Sequence, residues 1–349
     1  MATLTRKTCS LLILFIAALI SACGEKTEME KNSSEPISHA QQGNPQSPDK
    51  DNSNNIDTQQ SSQKEQAKIN AYVSCYNAIN SSVYLSAQRY FNVFPNIETG
   101  PTGKEKSFSI LTTVTSGIAS DCKVEISDAL AIRPEFQPID SYAKAFVDSV
   151  VMLRDISTQI KRYYEQGDYK DDNFEKGNLL HKEYVSAFKE YEKFSVLLVE
   201  QIEIYNDRRN AEALKELEIK EGKSLNFYML AIITKAKNIN ELLLEQEFNA
   251  SKAMEEVNDL QKMVDELDAL IEVKRAEGYR PTSSYSFMVS DGNKYITATK
   301  QRIRRLKDKV PFDKYEQSKI GTDSEWMVEG SEGRAMREYN EMVKSYNRS

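Results

Sequence analysis

The sequence predicts an all-α protein: an elongated antiparallel helical bundle with a heptad-patterned helical hairpin, preceded by a signal peptide and a disordered linker. Three observations carry this prediction. Leu225, Met229, Ile232, Ala236, Ile239 and Leu243 recur at alternating intervals of four and three, as do Ala253, Val257, Leu260, Val264, Leu267 and Ile271. That interval keeps one side of a helix apolar. Related spacing runs through Tyr72, Tyr76, Ile79, Val83 and Tyr90, and again through Tyr184, Phe188, Tyr191, Leu198, Ile202 and Tyr205. Helix breakers stand between such runs, at Pro134, Pro138 and Gly222.

The chain opens with Arg6 and Lys7, the apolar run Leu11 to Ile20, and Ile20-Ser21-Ala22-Cys23. In helical form Leu11 to Ala22 spans roughly 18 Å, too short for a hydrocarbon core of roughly 30 Å. The layout resembles a bacterial lipoprotein signal, with residues 1–22 removed and Cys23 carrying the lipid. Two acyl chains already give stable anchoring, at about 0.8 kcal/mol per buried methylene. Residues 23–66 then form the lipidated N terminus and tether. Only Met29, Ile37 and Ile56 are large aliphatics after the cysteine, too few for a core. The 43 residues between Cys23 and Ala67 reach on the order of 35 Å as a flexible coil. Gly24 in place of an aspartate after the lipidated cysteine favours the periplasmic face of the outer membrane.

Residues 67–349 form the helical domain, long enough for one core or two packed sub-bundles. The 46 basic residues, less Arg6 and Lys7, stand against 53 acids, giving the mature chain a formal charge of −9. Charge and compartment both exclude nucleic acid as a partner. With Cys9 lost and Cys23 lipidated, Cys75 and Cys122 remain for a disulfide in an oxidising compartment. It would staple the first helix to a second segment running through Phe108, Leu111, Val114 and Ile118. Closing about 47 residues is worth roughly 4 kcal/mol in the chain-entropy treatment. There is no CxxC spacing to suggest redox chemistry.

A third helix follows the prolines, with Asp140 as its cap and Tyr142, Phe146, Val150, Leu153 and Ile156 on one face. A long helix then runs from near Asp172 to Glu221, where Gly222 stops it. The hairpin breaks around Phe248 to Ser251, with Asn249 or Ser251 as N-cap of its second arm. Residues 278–290 read as the longest non-helical interruption, its aromatics plugging the bundle end. A short β-ribbon through Tyr285, Phe287 and Val289 is the alternative.

The local patterns that invite chemistry mostly have plainer readings. Gly100-Pro101-Thr102-Gly103-Lys104-Glu105 lacks the glycine spacing and the Ser or Thr of a phosphate loop. Thr102 and Glu105 instead suit a capping box at a helix start. Asp168, Asp171, Asp172 and Glu175 are the densest acid group, with Lys176 beside them. An EF-hand register fails because Lys170 falls at a ligand position, so Asp171 or Asp172 reads as the cap of the next helix. His39 and His181 are too isolated for a zinc site or a hydrolytic triad. No catalytic residue, metal site or cofactor is implied.

Lys300, Arg302, Arg304, Arg305, Lys307 and Lys309 concentrate positive charge beside Ile303, Leu306 and Val310. They offer a solvated face or contact with an anionic envelope surface. At the C terminus, Met336, Tyr339, Val343 and Tyr346 form an apolar stripe. Arg334 near Trp326 would make either a carboxylate clamp or an internal ion pair. Asp171, Asp172, Lys176, Arg304, Arg305, Trp326 and Arg334 are therefore the candidate binding residues.

Several strings are more specific than any periodicity. They are Cys75-Tyr76-Asn77, Gly100 to Glu105, Gln137-Pro138-Ile139-Asp140, Tyr169-Lys170-Asp171-Asp172, Lys309-Val310-Pro311, Trp326-Met327-Val328-Glu329, and Arg334 with Glu338 to Val343. Together they resemble the YiiG-type lipoproteins, from the cysteine at the leader's end almost to the last residue, with a divergent linker. The resemblance implies an exported lipoprotein with a helical domain of unknown function, and supplies no catalytic residues.

These readings favour a non-enzymatic helical binding or scaffold module held at the membrane, with an envelope protein or cell-wall component as partner. The alternatives are an envelope hydrolase acting through paired carboxylates, and a helical bundle that binds a small ligand or cation.

Overall fold

The computed structural model describes residues 50–348 except Gln246, with side chains from Ser61 onward. The expected signal peptide at 1–22, the expected lipidation of Cys23 and the expected tether up to residue 49 lie outside the described residues. Among the described residues the chain is all-helical, with no strand and no helix long and apolar enough to cross a membrane. It divides into two compact units, one ending at Ile202 and one running from Glu203 to the C terminus.

The first unit contains α1 (Lys50–Val93), α2 (Ser116–Ala131), α3 (Ile139–Gln166) and the start of α4 (Glu175–Glu221). Residues 50–66, expected in the tether, are the first turns of α1. Nothing after Pro48 carries a helix breaker, so the polar stretch continues the helix that the aromatic run needs. Tyr72, Tyr76, Ile79, Val83 and Tyr90 are all buried, as expected from their spacing. Tyr76 meets Phe146 of α3 and Tyr90 meets Tyr184 of α4, in a core rich in rings that also buries Leu153, Phe188 and Tyr191. Cys75 and Cys122 form the expected disulfide, with Cα atoms 4.9 Å apart. Cys122 lies inside α2. Phe108 to Val114, expected as part of that helix, are loop, because α2 starts only at Ser116.

Within α1 a charge is buried. Lys68 is fully buried and its Nζ donates to Asp140 Oδ2 at 2.5 Å and to the carbonyls of Ile132 and Pro134 at 3.1 and 3.2 Å. The Tyr72 hydroxyl and the Phe136 amide donate to the same carboxylate at 2.7 and 2.9 Å. Asp140 therefore does not serve as the expected N-cap. It lies one residue inside α3 and ties the proline-containing turn to α1, while Pro138 holds the cap position.

The second unit contains the rest of α4, α5 (Leu225–Leu244), α6 (Ala250–Ala276), α7 (Ser283–Lys307), the short α8 (Lys314–Gln317) and α9 (Glu332–Tyr346). Both heptad seams are buried along their whole length and pack α5 against α6. Asn249 caps α6, its side chain accepting from the Lys252 amide, as expected. Tyr285, Met288, Tyr295, Ile296 and Ile303 of α7 and Tyr339, Met342 and Val343 of α9 complete this core. Each fully buried aliphatic side chain contributes about 1.5–3 kcal/mol relative to exposure.

The loop expected at 278–290 is shorter than the reading. Only the stretch from Glu277 to Thr282 connects α6 and α7, and Ser283 onward is helix. No ribbon forms through Tyr285, Phe287 and Val289, which lie on α7. Burial instead follows Ser284, Tyr285, Met288 and Tyr295, a helical interval, while Phe287 faces solvent.

Candidate functional site

The first unit holds a cavity of ≈ 540 Å³, made where the loop after α1 meets the turn between α3 and α4. The loop is shaped first by Gly100, which takes φ +65° beneath His181. A Cβ there would come within 2.7 Å of the imidazole, so both the backbone angle and the contact require glycine. His181 is buried in α4 and bonded on both nitrogens. The Ile97 carbonyl can only accept, so Nε2 donates to it at 2.9 Å, and in the neutral ring Nδ1 takes the Tyr90 hydroxyl at 2.9 Å. The ring also stacks on Tyr90. His181 thus fastens the loop to the core.

Beyond Gly100, Glu105 Oε1 accepts from the Thr102 amide at 2.7 Å and from its hydroxyl at 2.9 Å. Half of the expected capping box is therefore formed, but no helix follows it, and the chain stays irregular to Thr115. Burial works against the Glu105 charge. Hydrogen bonds from the backbone at Thr102, Glu105 and Gly103 and from the Thr102 hydroxyl outweigh it and hold the carboxyl below its ordinary value.

The opposite wall begins at Gly167, a left-handed C-cap that ends α3, and continues through a 3₁₀ turn over Asp168–Lys170. Asp172 caps α4 as expected, Oδ1 accepting from the Phe174 amide at 3.0 Å and Oδ2 from the Lys176 amide at 3.1 Å. The Tyr163 hydroxyl adds a 2.7 Å bond to Oδ1 and is the main cause of a lowered Asp172 pKa. Asn173 and Phe174 both adopt positive φ, 51° and 66°. Such backbone costs about 1–3 kcal/mol per residue and persists only where its surroundings enforce it. Here Asp172 and the Tyr169 carbonyl hold the Phe174 amide, and the strained turn brings the Phe174 ring to 5.1 Å from Tyr169.

Four rings line the cavity. Phe108 stacks on Tyr164 at 4.3 Å and meets Tyr169 at 4.9 Å, and Phe174 closes the set. Tyr164 is buried and its hydroxyl lies over Gly177, where a Cβ would come within 2.8 Å. Burial pushes that hydroxyl's pKa well up. Lys106, Lys170, Glu105 and Glu165 provide charge of both signs along the lining.

The residues singled out from sequence do not converge on this cavity. Asp171 is exposed and Asp172 is spent on the cap. Lys176 is exposed, its ammonium 5.8 Å from the Tyr163 ring. Among the described residues no group of His, Cys, Asp and Glu is arranged to hold a metal ion. In the second unit Arg304 is exposed, whereas Arg305 pairs with both oxygens of Glu316 at 3.1 and 2.9 Å and stacks on Phe312. Arg302 pairs with Glu332. The basic helix face is thus partly neutralised from within. The residue over Trp326 is Arg337, 3.7 Å from the ring, and not the expected Arg334. Sequence reading missed Phe108, Tyr169 and Phe174 as a set. Its signal was present in the strings Gly100 to Glu105 and Tyr169 to Asp172, which flank this cavity.

Comparison with known proteins agrees with the resemblance of those strings. The chain is 34% identical over 281 residues to the "Uncharacterized protein YiiG" of Escherichia coli (strain K12), covering 80% of this chain and 78% of that one. No solved structure matches it. The model of a family described as "Protein of unknown function (DUF3829)" matches residues 63–348, both units and the whole cavity included, and the chain belongs to that family.

Proposed function

We propose that this protein is a lipid-anchored module of the cell envelope that binds a ligand without transforming it, through the aromatic cavity of its first unit. The observation that carries the reading is the cavity itself. Two irregular segments, one fastened by a buried histidine and one held in strained backbone, are brought together to line a recess with four rings. Concave, ring-lined recesses with a few polar groups are the usual form of small-molecule sites. Strain retained outside a helix points the same way. The leader ending at Cys23 supports the anchor, and the polar linker supports reach from the membrane surface.

The test is photocrosslinking in cells, with the probe residue placed at the exposed rim positions Ser109 and Asn173 of the full-length protein. The reading predicts adducts from both that are absent from Arg304 and Lys307. Adducts only from the second unit would overturn it. A Cys23→Ser variant should leave the membrane fraction; if it stays, the anchor is wrong.

A further inference from the structure

We infer that the cavity takes a neutral saccharide, one pyranose ring lying against the aromatic wall and its hydroxyls meeting the mixed polar rim. The inference rests on the reading of the cavity as a ligand site and adds the ligand's chemistry.

The mixed charge of the lining favours a neutral, polar ligand over one of either sign. A cationic ligand is the usual guest of an aromatic cage. Here Lys170 already stands 5.7 Å from the centroid of Tyr169, and Lys106 also lines the recess, so a second cation meets like charge. An anion meets the Glu105 carboxylate, which Thr102 holds in place, while Glu165 at the edge of the lining is paired with Lys161. A wholly apolar ligand would strip water from these charged side chains and give nothing back. A sugar has what remains. One face of a pyranose presents C–H groups to the negative face of an aromatic ring. Its hydroxyls both donate and accept, so one molecule satisfies carboxylates, ammonium groups and the Asn173 side chain together. The volume of ≈ 540 Å³ falls in the range of about 300–1,000 Å³ usual for ligand sites.

The rings also sit where a stacking platform needs them. Phe108, Tyr169 and Phe174 are each half-buried and line the cavity, while Tyr164, on which Phe108 stacks, is buried.

The experiment uses the mature lipoprotein in detergent and titrates three oligosaccharide series, chito-, cello- and maltotetraose, by calorimetry. Choline and inorganic phosphate serve as cationic and anionic probes. Saturable binding of at least one oligosaccharide is expected, weakened about tenfold by Phe108→Ala and by Tyr169→Ala. Lys106→Gln should weaken it without altering the circular dichroism spectrum, which keeps the test valid if a ring variant misfolds. Binding of choline or phosphate with no oligosaccharide would overturn the saccharide inference and leave the cavity standing as a ligand site. Silence toward every probe would overturn the saccharide inference, and absent rim crosslinks in cells would then remove the ligand site as well. Oligosaccharide binding indifferent to all three substitutions would show that the sugar sits elsewhere, and would also overturn it.

Discussion

Replacing Lys68 by Met removes the buried ammonium and keeps most of its length and packing. Three acceptors then lose its ammonium: Asp140 Oδ2 and the carbonyls of Ile132 and Pro134. Breaking one side of a buried pair costs about 3–5 kcal/mol, because the remaining charge stays out of water without its partner. Asp140 retains the Tyr72 hydroxyl and the Phe136 amide, which places the carboxylate at the lower end of that range. The two carbonyls add back roughly 1 kcal/mol or more. A loss of about 4 kcal/mol is therefore expected, read as a lowered urea midpoint with unchanged slope. Adding Asp140→Leu removes the orphaned charge, so the double variant should recover part of the loss, giving a coupling of about 1–3 kcal/mol between the sites. A Lys68→Met protein within about 1 kcal/mol of wild type would refute the reasoning. A double variant equal to the sum of the singles would do the same.

Further outcomes follow from the same contacts. Gly100→Ala forces a left-handed angle and a 2.7 Å approach to His181, and should cost about 1–3 kcal/mol while loosening the cavity loop, measurable as faster amide exchange over residues 97–108. Asp172 has a folded pKa below its ordinary value, chiefly through the Tyr163 hydroxyl. Its contribution is therefore fully present above about pH 4, the unfolded value, and is lost as pH falls through the folded value. Urea melts should separate wild type from Asp172→Asn at neutral pH and bring them together in strong acid. Trp326 is the chain's one tryptophan, and Arg337 covers its ring at 3.7 Å. Arg337→Ala should shift the emission to the red, whereas Arg334→Ala should leave it unchanged.

How far the sequence could be read depended on where each side chain's environment is decided. The seams on α5 and α6 were legible to the residue, because burial on a helix repeats every three or four positions and nothing else in those segments competes with it. The disulfide followed from arithmetic on four cysteines. The expected loop over 278–290 ran past Thr282 because the apolar positions at the start of α7 are too few to fix a helix period from sequence alone. Asp140 was misassigned because a capping preference is local, whereas its partner Lys68 is 72 positions away. Arg334 and Arg337 are one turn apart on α9, and only the path of the preceding loop selects which one covers Trp326. The cavity was hidden for a related reason. Phe108 and Phe174 are ordinary apolar letters until positive backbone angles at Gly100, Asn173 and Phe174 turn their segments toward each other.

The most direct measurement for the central claim is hydroxyl-radical footprinting of the protein in intact cells against the purified protein in detergent. If the cavity is occupied in the envelope, Phe108, Tyr169 and Phe174 will be oxidised more slowly in cells, while the exposed Tyr315 and Met327 of the second unit react equally in both. Equal oxidation of all five residues in the two settings would contradict a ligand at this site.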